Sequence, residues 1–89
     1  MTPNKLTPET IQELIDQTNY LTHMTLTICV LTLKNGTMVT GESNVIDPTN
    51  YNAEIGREMS YKDAFSKIWQ LEGYAMKRDL AKVAEGSNT

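Results

Sequence analysis

Apolar residues recur at helical spacing at Ile11, Leu14 and Ile15, with Thr18 continuing the row, directly behind Thr7-Pro8-Glu9. A hydroxyl at the N-cap, a proline in the first turn and an acidic residue at the positive end of the dipole make a helix start. The spacing therefore predicts a helix over 8–19 with one narrow apolar stripe. From Met24 to Leu33 the chain is rich in β-branched residues, which predicts a strand. Lys34-Asn35-Gly36-Thr37 ends it, and Asn-Gly between two such runs predicts a two-residue type I′ hairpin. That turn pairs Lys34 with Thr37, Val30 with Gly41 and Cys29 with Glu42. On this register Leu26, Ile28, Val30, Thr32, Val39, Gly41, Ser43 and Val45 share the core-facing side. Gly41 there lets a helix approach the sheet closely.

Asp47-Pro48 repeats the pairing of an N-cap with a first-turn proline and predicts a second helix. Glu58 with Lys62, and Asp63 with Lys67, stand four apart and support it by a few tenths of a kcal/mol each. Tyr51, Ile55, Met59, Tyr61, Ala64, Phe65, Ile68, Trp69 and Leu71 spread over about two-thirds of the helical wheel. One sheet face covers less than that. The segment therefore either breaks near Ser60 or Gln70, or meets more than one partner surface, and Ser60-Tyr-Lys-Asp63 has the form of a capping box. The pattern resumes through Tyr74, Met76, Leu80 and Val83. The fold expected is α+β: an N-terminal helix, a β-hairpin, then a long or broken C-terminal helical region. It forms one domain over 1–89, with 1–6 and 86–89 flexible.

Length changes this picture. A chain of 89 residues buries only about two-thirds of its unfolded surface and is marginal as a monomer. One cysteine, Cys29, excludes an internal disulfide, and one histidine, His23, leaves a structural zinc site short of ligands. Homo-oligomerisation is the device left to complete the core. A net charge of −3 opposes non-specific nucleic-acid binding. No stretch reads as a signal peptide or spans a bilayer, so the chain is expected to be cytoplasmic with Cys29 reduced.

Candidate chemistry is sparse. His23 and Cys29 are the one conventional nucleophile–base combination, and without an orienting motif they read as incidental. Glu42, Asp47, Glu54 and Glu58 could suggest metal-assisted hydrolysis. Asp47, however, is accounted for as a cap and Glu58 as the partner of Lys62, which leaves Glu42 and Glu54. Gly56-Arg57 interrupts a helix, where glycine costs about 1 kcal/mol against alanine. Close helix packing across an interface is the plain explanation; room for a ligand beside Arg57 is the functional one. Phe65 and Trp69 read as core. Tyr51, Tyr61, Arg57 and Lys62 suit a pocket in which aromatic faces stack on a base and cations meet phosphate. The candidate ligand-binding set is Arg57, Lys62, Tyr51, Tyr61 and Glu54, with no catalytic residue, no metal and no cofactor.

Four ordered blocks carry a resemblance: Cys-Val-Leu-Thr-Leu-Lys-Asn-Gly (29–36), Val-Thr-Gly-Glu-Ser (39–43), Asp-Pro-Thr-Asn-Tyr-Asn-Ala-Glu-Ile-Gly-Arg (47–57) and Lys-Ile-Trp-Gln-Leu-Glu-Gly-Tyr (67–74). Together they resemble the tailed-phage gene product 49 / gene product 66 family. Gln70 departs from the proline that family members commonly carry after the tryptophan, which implies a straighter helix here. The resemblance implies a small phage accessory protein made in the cytoplasm of an infected bacterial host, and it assigns no activity. The cation–aromatic set, the need for oligomerisation and analogy with other small phage proteins make the expected function non-enzymatic, in host takeover or anti-defence. An oligomer would act as a sponge that sequesters a small nucleotide-derived signal at pockets between subunits. A protein-interaction inhibitor of a host enzyme is the alternative, and a small hydrolase using Glu42 and Glu54 is a third.

Overall fold

A computed structural model describes residues 6–86. The chain runs from helix α1 (Pro8–Leu14) into strand β1 (Ile15–His23), strand β2 (Leu26–Leu33) and strand β3 (Met38–Asn44). A 3-10 turn (Pro48–Asn50) then leads to helix α2 (Ala53–Gly86). The strands form an antiparallel meander in the order β1-β2-β3, and α2 lies across β2 and β3 on one face. The α+β fold expected from the sequence is present. The tails expected to be flexible lie outside the described residues, apart from Leu6, which packs against the core, and Gly86, which ends α2.

The helix predicted over 8–19 ends five residues early, at Leu14. Thr7 caps it as foreseen: its Oγ1 accepts from the Thr10 N–H and the Thr10 hydroxyl receives the Thr7 N–H, a reciprocal box. At Ile15 the backbone turns extended, and the polar run Asp16 to Asn19 becomes the first half of an edge strand. Asp16 is the extra residue of a bulge, since Ile15 pairs with Leu33 and Gln17 with Thr32. The Lys34 N–H donates to the Leu14 carbonyl at 2.9 Å, which ties the helix end to the hairpin. Between β1 and β2 the chain reverses in two residues, with Met24 held at φ 54°.

The hairpin after β2 has one loop residue more than predicted. The Leu33 N–H donates to Thr37 O at 2.7 Å, and the Gly36 N–H donates to Leu33 O at 2.9 Å. Gly36 alone takes positive φ, at 90°, so Asn35 does not adopt the type I′ geometry. Three-residue loops of this kind place glycine at the left-handed position. The added residue shifts the register by one and turns β2 over relative to β3. Cys29 faces Gly41 instead of Glu42, and Leu31 faces Val39. The helix-facing side is therefore Thr27, Cys29, Leu31 and Leu33 with Val39, Gly41 and Ser43. Leu26, Ile28, Val30 and Thr32, expected in the core, lie on the open side with Met38, Thr40 and Glu42.

Helix α2 is unbroken for 34 residues. Asp47 caps only the 3-10 turn, through the Thr49 N–H. Asn52 caps α2, its Oδ1 accepting from the Glu54 and Ile55 N–H groups. Ser60 does not open a new helix, because its hydroxyl donates back to the Arg57 carbonyl at 3.0 Å. The buried stripe is Gly56, Ser60, Ala64 and Ile68, three small residues and an isoleucine at strict four-residue spacing. They bring the helix backbone against Gly41 and Thr27, as Gly41 led us to expect. Ile11, Cys29, Leu31, Leu33, Val39, Ala64 and Ile68 form the core.

Candidate functional site

Helix α1 lies beside α2 but does not fill the space between them. The result is a groove of about 500 Å³, lined from α1 by Pro8 and Gln12, and from α2 by Tyr61, Lys62, Phe65, Ser66, Trp69 and Gln70. Its floor is an aromatic ladder at i,i+4 spacing, which puts Tyr61, Phe65 and Trp69 on one side of the helix. The Tyr61 and Phe65 rings stack with centroids 5.9 Å apart and planes inclined by 30°. Phe65 and Tyr61 also pack on the core, whereas Trp69 keeps 38% of its surface in solvent. Trp69 was expected in the core; Ile68 fills that place, and the indole lies on the groove wall.

Lys62 rims the groove. Its Nζ is 3.5 Å from Glu58 Oε1, with both side chains well exposed, so the pair holds the ammonium only weakly. Arg57 stands one turn before Tyr61 and lies near the Tyr20 phenol of β1, where its charge favours the phenolate. Burial nevertheless pushes the Tyr20 phenol up, with the neighbouring Cys29 thiol adding to the rise. Burial likewise raises Tyr61. Tyr20 was missing from the expected set because it fell between the predicted helix and the first predicted strand, whereas it belongs to β1.

Two expected residues lie elsewhere. Tyr51 lines a separate shallow groove with Met24, Thr25 and Pro48, beneath the β1–β2 turn. Glu54 is exposed in the first turn of α2, where a carboxylate complements the helix dipole. The structure thus brings Tyr61 and Lys62 into one groove with Arg57 on the adjoining turn. It adds Phe65, Trp69, Pro8 and Gln12, and leaves Tyr51 and Glu54 outside.

The remaining constellations do not assemble within one chain. Glu42 projects from the open side of the sheet, and Glu54 belongs to the helix on the other side, so the two carboxylates of the hydrolase reading are separated by the sheet. His23, which pairs with Leu26, is on the open side, while Cys29 is buried on the helix side. Burial raises the Cys29 thiol. Gly56 is explained by packing inside the chain: a Cβ there would meet Thr27 Oγ1 at 2.6 Å. Among the described residues no cluster of three His, Cys, Asp or Glu side chains could hold a metal. No described helix is long and apolar enough to cross a membrane.

No curated protein and no solved structure matches the chain. A family model does match it, over residues 6–80, which takes in both helices' groove residues and the whole sheet. The chain belongs to the phage protein (N4 Gp49/phage Sf6 gene 66) family.

Proposed function

We propose that this phage protein is a non-enzymatic accessory factor, acting in host takeover or against host defence, that sequesters a small nucleotide-derived anion in the groove between α1 and α2. The observation that carries the reading is the Tyr61–Phe65–Trp69 ladder with a lysine at its rim. A nucleobase offers a flat face to the half-exposed indole, and stacking of this kind is worth about 1–3 kcal/mol per base. Lys62 can exchange its weak contact with Glu58 for a phosphate at little cost. Arg57, one turn along, offers a planar fork to a second phosphate oxygen. The chain would act in the cytoplasm of the infected host, where such ligands are found.

Trp69 is the single tryptophan, so its emission reports directly on the groove. Titration with a purine nucleoside monophosphate and with a cyclic purine dinucleotide should give saturable quenching for at least one of them. Lys62→Ala should weaken that binding about tenfold, the loss of one charge-assisted contact. Denaturing the loaded protein should release the ligand intact. Flat emission up to millimolar nucleotide, or release of a converted product, would overturn the reading.

Inhibition of a host enzyme by direct docking is the second reading. It is favoured by the open side of the sheet, where Leu21 and Met38 are exposed beside Ile28 and Val30 and no described element covers them. A host polypeptide cross-linked to the protein in infected cells, and lost with Leu21→Asp, would support it.

A further inference from the structure

Four glycines with described surroundings invite comparison. Gly36 adopts φ 90°; Gly41 and Gly56 each have other atoms in the space a Cβ would take. Gly73 has neither reason. It lies inside α2, where glycine is the costliest residue but proline, and a Cβ there would meet nothing within 4 Å.

The segment around Gly73 is unusual in a second way. Ile68 is the last buried residue of α2 among those described up to Val83, yet the helix continues to Gly86. At 1.5 Å per residue the 34-residue helix is about 51 Å long, while an eight-residue strand spans about 26 Å. Roughly half the helix therefore runs past the sheet, and the molecule reaches 61 Å along its long axis. A helical overhang of a dozen residues is marginal in water without a packed face. This one carries such a face unused. Gly73, Met76, Leu80 and Val83 follow one another at spacings of three, four and three, and Leu80 and Val83 are 52% and 69% exposed.

We infer that this overhang pairs with the same segment of a second copy as a short parallel two-stranded coiled coil. In heptad terms Gly73 and Leu80 are a positions, Met76 and Val83 are d positions. Glu72 then occupies g and Lys77 the following e, so in a parallel pair Glu72 of each copy meets Lys77 of the other. An antiparallel pair in the same seam sets g against g and e against e, which places Asp79 against its own copy and Lys77 against its own copy. The charges therefore select the parallel arrangement and a second copy of this chain as the occupant. Gly73 leaves the seam open at its first layer, beside the heads, so the two helices can approach there without a side chain between them. The proposal is independent of what the α1–α2 groove binds.

Sedimentation over a concentration series tests it. The wild-type chain should form a species of twice the 10.0 kDa chain mass. Leu80→Asp should raise the dissociation constant more than about tenfold while far-ultraviolet circular dichroism still shows the folded head, since Leu80 touches none of the core. Glu72→Lys and Lys77→Glu should each weaken the dimer, and the double reversal should restore it. Leu80→Cys should form an inter-chain disulfide on mild oxidation, because only a parallel register sets residue 80 against itself. A wild-type monomer at all concentrations would overturn the inference. So would a dimer indifferent to Leu80→Asp, failure of the double reversal to rescue, or occupation of the seam by a foreign protein in place of a second copy.

Discussion

A Cβ placed on Gly41 would lie 2.9 Å from the Ala64 Cα, and closer still to the Ala64 nitrogen and the Ser60 carbonyl oxygen. The obstructing atoms are all backbone of α2, so no rotamer change relieves the contact. Either the helix lifts from the sheet or β3 bends. Gly41→Ala should therefore destabilise the fold by about 3 kcal/mol, at the upper end of ordinary overpacking. The check is urea denaturation followed by circular dichroism. An effect below about 0.5 kcal/mol, the range of a neutral surface change, would show that the helix does not rest on this strand as described.

Thr27 and Gly56 make a softer contact with an opposite lesson. Thr27 is fully buried, and its hydroxyl oxygen finds no hydrogen-bond partner. It faces the bare Cα of Gly56. A buried, unpaired hydroxyl is a liability that a methyl of similar shape removes. Thr27→Val is expected to raise stability by about 1 kcal/mol. Gly56→Ala should lower it, because the clash with Thr27 outweighs the gain in helix propensity of about 1 kcal/mol. The two substitutions touch the same few atoms, so their effects should not add, and a double-mutant cycle reads the coupling.

The sequence patterns that carried the most information were the ones set by local backbone chemistry. Thr7-Pro8 announced α1, both i,i+4 ion pairs of α2 form, and Gly41 marked the place where helix meets sheet. Two features were hidden because tertiary contacts decide them. Strand β1 is exposed along nearly its whole length, so it shows no alternation of apolar and polar residues; its pairing with β2 defines it. The face of β2 depended on a single loop residue. Asn35-Gly36 fits both a two-residue and a three-residue loop, and both faces of β2 are apolar enough to serve as core. The groove was half legible. Tyr61 and Lys62 were read as a pocket, but Trp69 was assigned to the core, since an aromatic four residues from another usually packs inward. Pro8 and Gln12 carry no signal of their own; only the placement of α1 recruits them.

Two side chains of α2 bond to the outer edge of β3. Asp63 Oδ2 accepts the Glu42 N–H at 3.0 Å, and the Lys67 ammonium donates to the Thr40 carbonyl at 2.6 Å. These two residues also form an ion pair, at 3.9 Å. Open strand edges invite pairing with other chains, and charged side chains are a common guard. Both groups are about half exposed, so their removal should cost only about 1 kcal/mol. Asp63→Ala combined with Lys67→Ala is expected to change the urea midpoint slightly while markedly accelerating aggregation on agitation, followed by light scattering. Unchanged aggregation would assign the two contacts to helix positioning instead.

Cys29 makes the stability of the fold sensitive to alkaline pH. Burial raises its thiol, and burial also raises the nearby Tyr20 and Tyr61 phenols. In each case the folded chain holds its proton to higher pH than the unfolded chain does. The unfolded chain therefore ionises first, near pH 8.5 for a free cysteine and about 10 for tyrosine. The stabilisation is complete below those values and is lost as pH rises through the folded ones. The midpoint of thermal unfolding should stay level from about pH 6 to 8 and fall steadily above about pH 9. Cys29→Ala should remove the earlier part of that decline and leave the tyrosine part, at the cost of a small cavity beneath Gly41. Because the thiolate is the reactive form and the native thiol is both buried and protonated, alkylation of Cys29 at pH 8 should run about a hundredfold slower in the folded protein than in urea. Equal rates would mean that the β2 face opens readily, and the helix-side core described above would then be too loose to hold the groove in shape.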